Sequence, residues 1–134
     1  MVEVGPRDGL QNEPISDKLT INVKIQLIKD LAACGLTTIE AGSFVSPRWV
    51  PQMAGTSEVY QAVRSLSGVS LPVLVPNQKG LEAATAAGVK EIAVFTAASE
   101  TFSQRNTNCS IAEGLARIRD IIKAAQGLRV RGYV

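Results

Sequence analysis

Residues 1–13 read MVEVGPRDGLQNE, and the turn inside them, Gly5-Pro6-Arg7-Asp8-Gly9, bears on the fold more than any other stretch. Met1, Val2 and Val4 make an apolar, strand-like start. Gly5-Pro6 breaks it, because proline lacks the backbone donor that a continuing strand needs. Arg7 and Asp8 then stand side by side where the strand ends, and a second glycine closes the turn. A doubly wound parallel sheet that binds a nucleotide usually carries a glycine-rich fingerprint at this point. Neither GxGxxG nor GxxxxGK[ST] occurs here. A (β/α)8 barrel instead gathers polar groups at the C-terminal ends of its strands.

The rest of the chain repeats the same rhythm. Ser16 or Asp17 suits the cap of a helix whose apolar residues Ile21, Ile25, Leu27, Ile28 and Leu31 follow helical spacing up to Cys34-Gly35. Residues 37–41, TTIEA, are β-branched and strand-like. After the proline-bearing stretch SFVSPRWVPQM, the spacing predicts a helix over 57–66, a strand over 71–75, a helix over 79–87 and a strand over 91–95. A longer loop leads to Ser110-Ile111-Ala112-Glu113, a capping box that opens a helix to about Ala125. Residues 128–134, LRVRGYV, start a fifth strand.

Continuous apolar strands alternating with helices imply parallel pairing, right-handed crossovers and a sheet covered by helices. Polar residues recur where strands end: Arg7-Asp8, then Glu40 and Ser43, then Asn77, then Ser99-Glu100. That distribution favours the barrel. A complete barrel needs about 250 residues, and the 134 residues here supply four βα units and the start of a fifth strand. The expected architecture is α/β, with residues 1–134 forming the N-terminal half of one TIM-barrel domain, cut at both ends.

Composition narrows the chemistry. The formal net charge of +2 gives no electrostatic case for nucleic acid or an anionic membrane. The apolar runs are too short to span a bilayer, and because Met1 leads into a strand pattern no signal peptide is expected. Cys34 and Cys109 have no metal-ligand spacing and read as buried or half-buried free thiols of a reducing compartment. The chain has no histidine. That excludes, within it, a Ser-His-Asp or Cys-His nucleophile and a His-ligated zinc.

EVGPRDGLQNE, IEAGSFVSPRWVPQM, VPNQKG, FTAASETFSQRNTNCS and VRGYV together resemble the 3-hydroxy-3-methylglutaryl-CoA lyases along the whole chain. The RDG-x-Q turn is shared with a wider group of metal-dependent barrel enzymes, including Claisen synthases. SFVSPRWVPQM and ASETFSQRNTNCS carry the narrower likeness. The resemblance implies cleavage of the acyl-CoA to acetyl-CoA and acetoacetate with a divalent metal, Mg2+ or Mn2+. It implies that Asp8 is a metal ligand and that Arg7 stabilises the developing enolate, oriented by Glu40 as its catalytic partner. It suggests Gln11, Ser43 and Asn106, with Arg7, as substrate-binding residues. For Gln11, Ser43 and Asn106 a turn- or loop-stabilising role stands beside the functional one, for Glu40 an ordinary strand-end salt bridge and for Arg7-Asp8 a solvated turn ion pair, and Trp49 reads as a packing anchor for its loop.

The family's remaining metal ligands, a His-x-His pair and an Asn, and its cysteine in a glycine-rich loop do not lie in this chain. Isolated, it is expected to be inactive. The full-length enzyme is expected to dimerise and to work in the cytoplasm, or in the mitochondrial matrix of a eukaryote. The rivals are a related synthase or aldolase acting on an acyl-CoA or 2-keto acid, and a non-catalytic half-barrel.

Overall fold

The computed structural model describes residues 1–15 and 17–134. Its centre is a parallel sheet of β1 (Val73–Leu74), β2 (Glu91–Phe95) and β3 (Arg129–Tyr133), in that order. Single parallel bridges extend it: Ser43 beside Leu74, Thr38 beside Ser70, and Glu3 beside Ile39. Five extended segments therefore lie side by side in chain order. A doubly wound sheet reverses its strand order at a switch point, and no reversal occurs among the described residues. Consecutive order is what successive strands of a (β/α)8 barrel require.

The predicted strands are shorter than the sequence suggested, for local reasons. Pro72 has no amide to donate, so the third extended segment keeps ladder geometry only over Val73–Leu74. The first ends at once in a π-helical turn over Gly5–Gly9, where the amides of Arg7, Asp8 and Gly9 all donate to the Val4 carbonyl, at 3.1, 2.7 and 3.3 Å.

Five helices follow the strands: α1 (Ile21–Ala33), α2 (Thr56–Val63), α3 (Gln78–Ala86), α4 (Glu100–Thr107) and α5 (Ile111–Ala124). The cap of α1 is Thr20, whose hydroxyl accepts from the Val23 amide at 3.3 Å. Asp17 lies in the turn before it, and Ser16 lies outside the described residues. Gly35, at φ +89°, ends α1, with amides 35 and 36 bonding back to Ala32 and Leu31. The capping box of Ser110 and Glu113 is present in both directions. Helix α4 corrects the expected loop. Ser99 caps it through the Phe102 amide, and Asn108 stops it at φ 51°.

The core lies between sheet and helices. Ile39, Ala41, Val73, Val75, Ile92 and Val94 point outward onto Ile28, Val59, Val63, Leu81, Ala84 and Ile121, all buried. Alternation then turns Glu40, Glu91, Arg129, Arg131 and Tyr133 to the opposite face. That face is charged.

Candidate active site

Glu40 is the hub. Its side chain is fully buried at the end of the second extended segment, and both of its oxygens are engaged. Arg7 Nε donates to Oε1 at 2.5 Å, and the Tyr133 hydroxyl donates to Oε2. Arg131 Nη1 lies 3.9 Å from Oε2, buried and without a hydrogen-bond partner among the described residues. Its guanidinium stacks on the Tyr133 ring at 4.2 Å, with Arg7 5.7 Å from the same ring. Strand register sets Arg131 beside Ala93 and Tyr133 beside Phe95 on β2.

Arg7 also donates from Nη1 to Asp8 Oδ1 at 2.8 Å, and the Asp8 side chain is 56% exposed. Burial works against the Arg7 charge, but attraction and hydrogen bonding from Glu40, followed by attraction from Asp8, outweigh it and raise its pKa. Burial raises the Tyr133 phenol, and the hydrogen bond to Glu40 adds to this, so the hydroxyl remains a donor at neutral pH. Arg7, Asp8 and Glu40 thus meet at one end of the sheet. The arrangement offers a fixed cation beside an accessible carboxylate. Glu40 bonds Arg7 through one oxygen and Tyr133 through the other, an arrangement suited to orienting the guanidinium.

Among the described residues, no cluster of three His, Cys, Asp or Glu side chains could hold a metal ion. Asp8 alone fits as one hard oxygen ligand in a shell that needs about six, with its exposed carboxylate facing outward.

The other anticipated residues are placed differently. Ser43 is buried; its hydroxyl donates to the Leu74 carbonyl at 3.4 Å and accepts from the Val45 amide at 3.2 Å, capping the turn. Asn77 accepts from the Gly80 amide at 2.9 Å as the cap of α3. Glu100 accepts from the Ile111 amide at 3.0 Å, tying α4 to α5. The Gln11 side chain, half-buried, makes no hydrogen bond among the described residues, and Asn106 is exposed on α4. Two readings are overturned. Trp49 is 85% exposed, so it is no packing anchor; the buried apolar residue of its loop is Met53. Cys34 is exposed at the end of α1, while Cys109 is buried as expected.

Arg131 and Tyr133 escaped the sequence reading as site residues. Their signal was present: in LRVRGYV, Arg129, Arg131 and Tyr133 recur at period two, which a strand buried on both faces does not show. Arg129 belongs to a separate cluster at the other end of that face, 2.9 Å from both Glu91 and Ser70.

Comparison with known proteins gives one consistent family. A model described as HMGL-like matches residues 1–131. The 3-hydroxy-3-isohexenylglutaryl-CoA/hydroxymethylglutaryl-CoA lyase of Pseudomonas aeruginosa is 57% identical over 100% of this chain and 45% of its own length. The mitochondrial hydroxymethylglutaryl-CoA lyase of Gallus gallus is likewise 57% identical, with the same coverage. Among solved structures, hydroxymethylglutaryl-CoA lyase from Pseudomonas aeruginosa superposes with a TM-score of 0.89 over 98% of this chain and 44% of that one. An HMG-CoA lyase from Acinetobacter baumannii, in complex with coenzyme A and 3-methylmalate, gives 0.89 at 35% identity, over 97% and 42%. The chain spans about 45% of the length of the curated relatives it matches.

Proposed function

The chain belongs to the HMGL-like family, and we propose that it forms the N-terminal part of a barrel enzyme that cleaves 3-hydroxy-3-methylglutaryl-CoA to acetyl-CoA and acetoacetate. One observation carries the reading: Arg7 is clamped by buried Glu40 at 2.5 Å, next to the exposed carboxylate of Asp8. Two opposite charges at one strand end serve two opposite partners, an oxyanion and a cation. The identities of 57% to enzymes named as this lyase support the substrate class.

In the cleavage, a base removes the proton of the C3 hydroxyl and the C2–C3 bond breaks. Its electron pair becomes the enolate of the acetyl thioester, the C3 oxygen becomes the ketone of acetoacetate, and C2 is then protonated. Arg7 is the group in this chain that faces the enolate oxygen, a preorganised cation where negative charge develops. Glu40 fixes the guanidinium plane through Nε and leaves Nη2 for the substrate. Tyr133 and Arg131 hold Glu40 from the other side, so the clamp does not reorganise as charge moves. A divalent ion with Asp8 among its ligands supplies Lewis acidity to the substrate oxygens when bound. Base and proton donor are assigned to the remainder of the full-length protein, since Glu40 is already the hydrogen-bond partner of Arg7 and Tyr133.

Gln11 and Asn106, whose side chains make no hydrogen bond among the described residues, remain candidates for substrate contact; Ser43 acts through the turn it caps. Cytoplasmic location in a bacterium, or the matrix in a eukaryote, agrees with relatives named as mitochondrial in animals. No helix among the described residues is long and apolar enough to cross a membrane.

The test is turnover by the full-length protein with Mg2+ or Mn2+. Release of acetoacetate and acetyl-CoA from 3-hydroxy-3-methylglutaryl-CoA supports the reading. Condensation of acetyl-CoA with a 2-keto acid, without that cleavage, replaces it with a synthase.

A further inference from the structure

Arg131 is the odd member of the Glu40 cluster. Among the described residues, its Nη1 is the one buried side-chain nitrogen or oxygen without a hydrogen-bond partner. Buried donors are almost always paired, so this one calls for an acceptor that the described residues do not supply. Glu40 is not that acceptor. Nη1 stands 3.9 Å from Oε2, near enough to feel its charge but too far for a hydrogen bond, and the Tyr133 hydroxyl takes that oxygen instead. Glu91, a second carboxylate on this face, accepts from Ser70 at 2.6 Å and pairs with Arg129 at 2.9 Å toward the opposite strand ends.

The geometry says what kind of acceptor fits. The Arg131 guanidinium lies on the Tyr133 ring at 4.2 Å, which fixes its plane and leaves an edge of its fork for a planar oxyanion. Arg7 faces the same ring at 5.7 Å. The two guanidinium groups therefore belong to one site, one beside each oxygen of Glu40. A ligand with two oxyanionic ends suits such a pair. The acyl chain of the proposed substrate has them: a thioester where an enolate develops, and a free carboxylate.

We propose that Arg131 is a substrate-binding residue that takes the free carboxylate of the acyl chain. This rests on the reading of Arg7 as the partner of the enolate. In 3-hydroxy-3-methylglutaryl-CoA the carboxylate lies across the breaking C2–C3 bond from the thioester, and it leaves in acetoacetate. The two arginines thus hold the two halves that cleavage separates. The carboxylate keeps its charge from substrate to product, so Arg131 binds ground state and transition state alike. Arg7 instead meets charge that appears only in the reaction. Arg131 selects acyl chains that end in an acid.

The experiment titrates the full-length protein, by calorimetry, with two thioesters that lack the C3 hydroxyl and are not cleaved. Glutaryl-CoA ends in a carboxylate; its terminal carboxamide has the same shape without the charge. The parent is expected to bind glutaryl-CoA about ten- to a hundredfold more tightly than the amide. In Arg131→Met that preference shrinks by about tenfold, through loss of glutaryl-CoA affinity alone. Arg131→Lys keeps a positive charge beside Glu40, which guards against a methionine variant that does not fold, but without the planar fork it too loses preference. Equal affinities in the parent, or a preference that either variant leaves unchanged, overturn the proposal. So does an equal weakening of both thioesters, the pattern expected if a side chain of the remaining protein bonds Nη1. A parent that cleaves no 3-hydroxy-3-methylglutaryl-CoA overturns the functional reading; a parent that cleaves it and fails the titration isolates the failure to Arg131.

Discussion

Replacing Glu40 by glutamine removes one charge and leaves the shape almost unchanged, so its effect reads the value of the charge itself. At an effective dielectric of about 20, a unit charge pair attracts by about 7 kcal/mol at the 2.5 Å of Arg7 and about 4 kcal/mol at the 3.9 Å of Arg131. Desolvation of three charged groups offsets most of that gross attraction. What remains decisive is what the substitution leaves behind: two guanidinium groups, with side chains only 12% and 27% exposed, lacking their shared counter-ion. Breaking a buried pair from one side costs about 3–5 kcal/mol. At about 2–4 °C per kcal/mol for a domain of barrel size, the thermal midpoint of the full-length Glu40→Gln protein falls by about 6–20 °C. Turnover falls further than stability explains, by about a hundred- to a thousandfold, because Arg7 loses its fixed direction toward the oxyanion. Scanning calorimetry and acetoacetate release on one preparation measure both. A midpoint within about 2 °C and a rate within about fivefold would show that neither fold nor catalysis uses the pair, contrary to these magnitudes.

Three further outcomes are expected. Arg7→Lys keeps the charge but loses the planar fork that addresses Glu40 and an oxyanion together, so turnover falls about a hundredfold or more with substrate affinity much less changed; a fall of less than about fivefold removes Arg7 from that role. Ser110→Ala opens the capping box of α5 and lowers the thermal midpoint by about 2–4 °C. Hydrogen bonds from the Ser110 amide and hydroxyl hold the Glu113 pKa below its ordinary value. Their stabilisation is therefore present above the usual glutamate range and is lost as pH falls through the lowered value, so the gap between parent and Ser110→Ala narrows in acid; a gap constant from neutral to acid pH contradicts this. The 134-residue chain expressed by itself should cleave no 3-hydroxy-3-methylglutaryl-CoA, since among the described residues Asp8 has no companions to hold a cation; turnover by that chain would show that the ligands assigned to the remainder are dispensable.

The βα rhythm was legible because each strand-to-helix step carries its own punctuation: Gly35 after α1, Asn77 before α3, Ser110 and Glu113 before α5. Helix α4 was missed because ETFSQRNT offers one large apolar residue, Phe102, and that side chain is exposed. A helix that buries little has no periodic stripe to betray it. Its signals were confined to its ends, the Ser99 cap and the Asn108 stop.

The site divides along the same line. Arg7, Asp8 and Glu40 could be read because each follows directly on an apolar run, and a polar residue there falls at a strand end. Arg131 and Tyr133 lie inside a strand, where local sequence says only which face they share. That they meet Glu40 depends on the curvature of the sheet, which brings residues 93 positions apart into hydrogen-bonding contact. The pairing is a property of closure, and no window of adjacent residues contains it. Yet chemistry leaves a trace even there. A buried carboxylate with two oxygens needs donors, and a strand that turns two arginines and a tyrosine toward the same interior is the place to seek them. Counting the charges that each face of a half-barrel must neutralise would therefore have linked Glu40 to the fifth extended segment before any contact was seen.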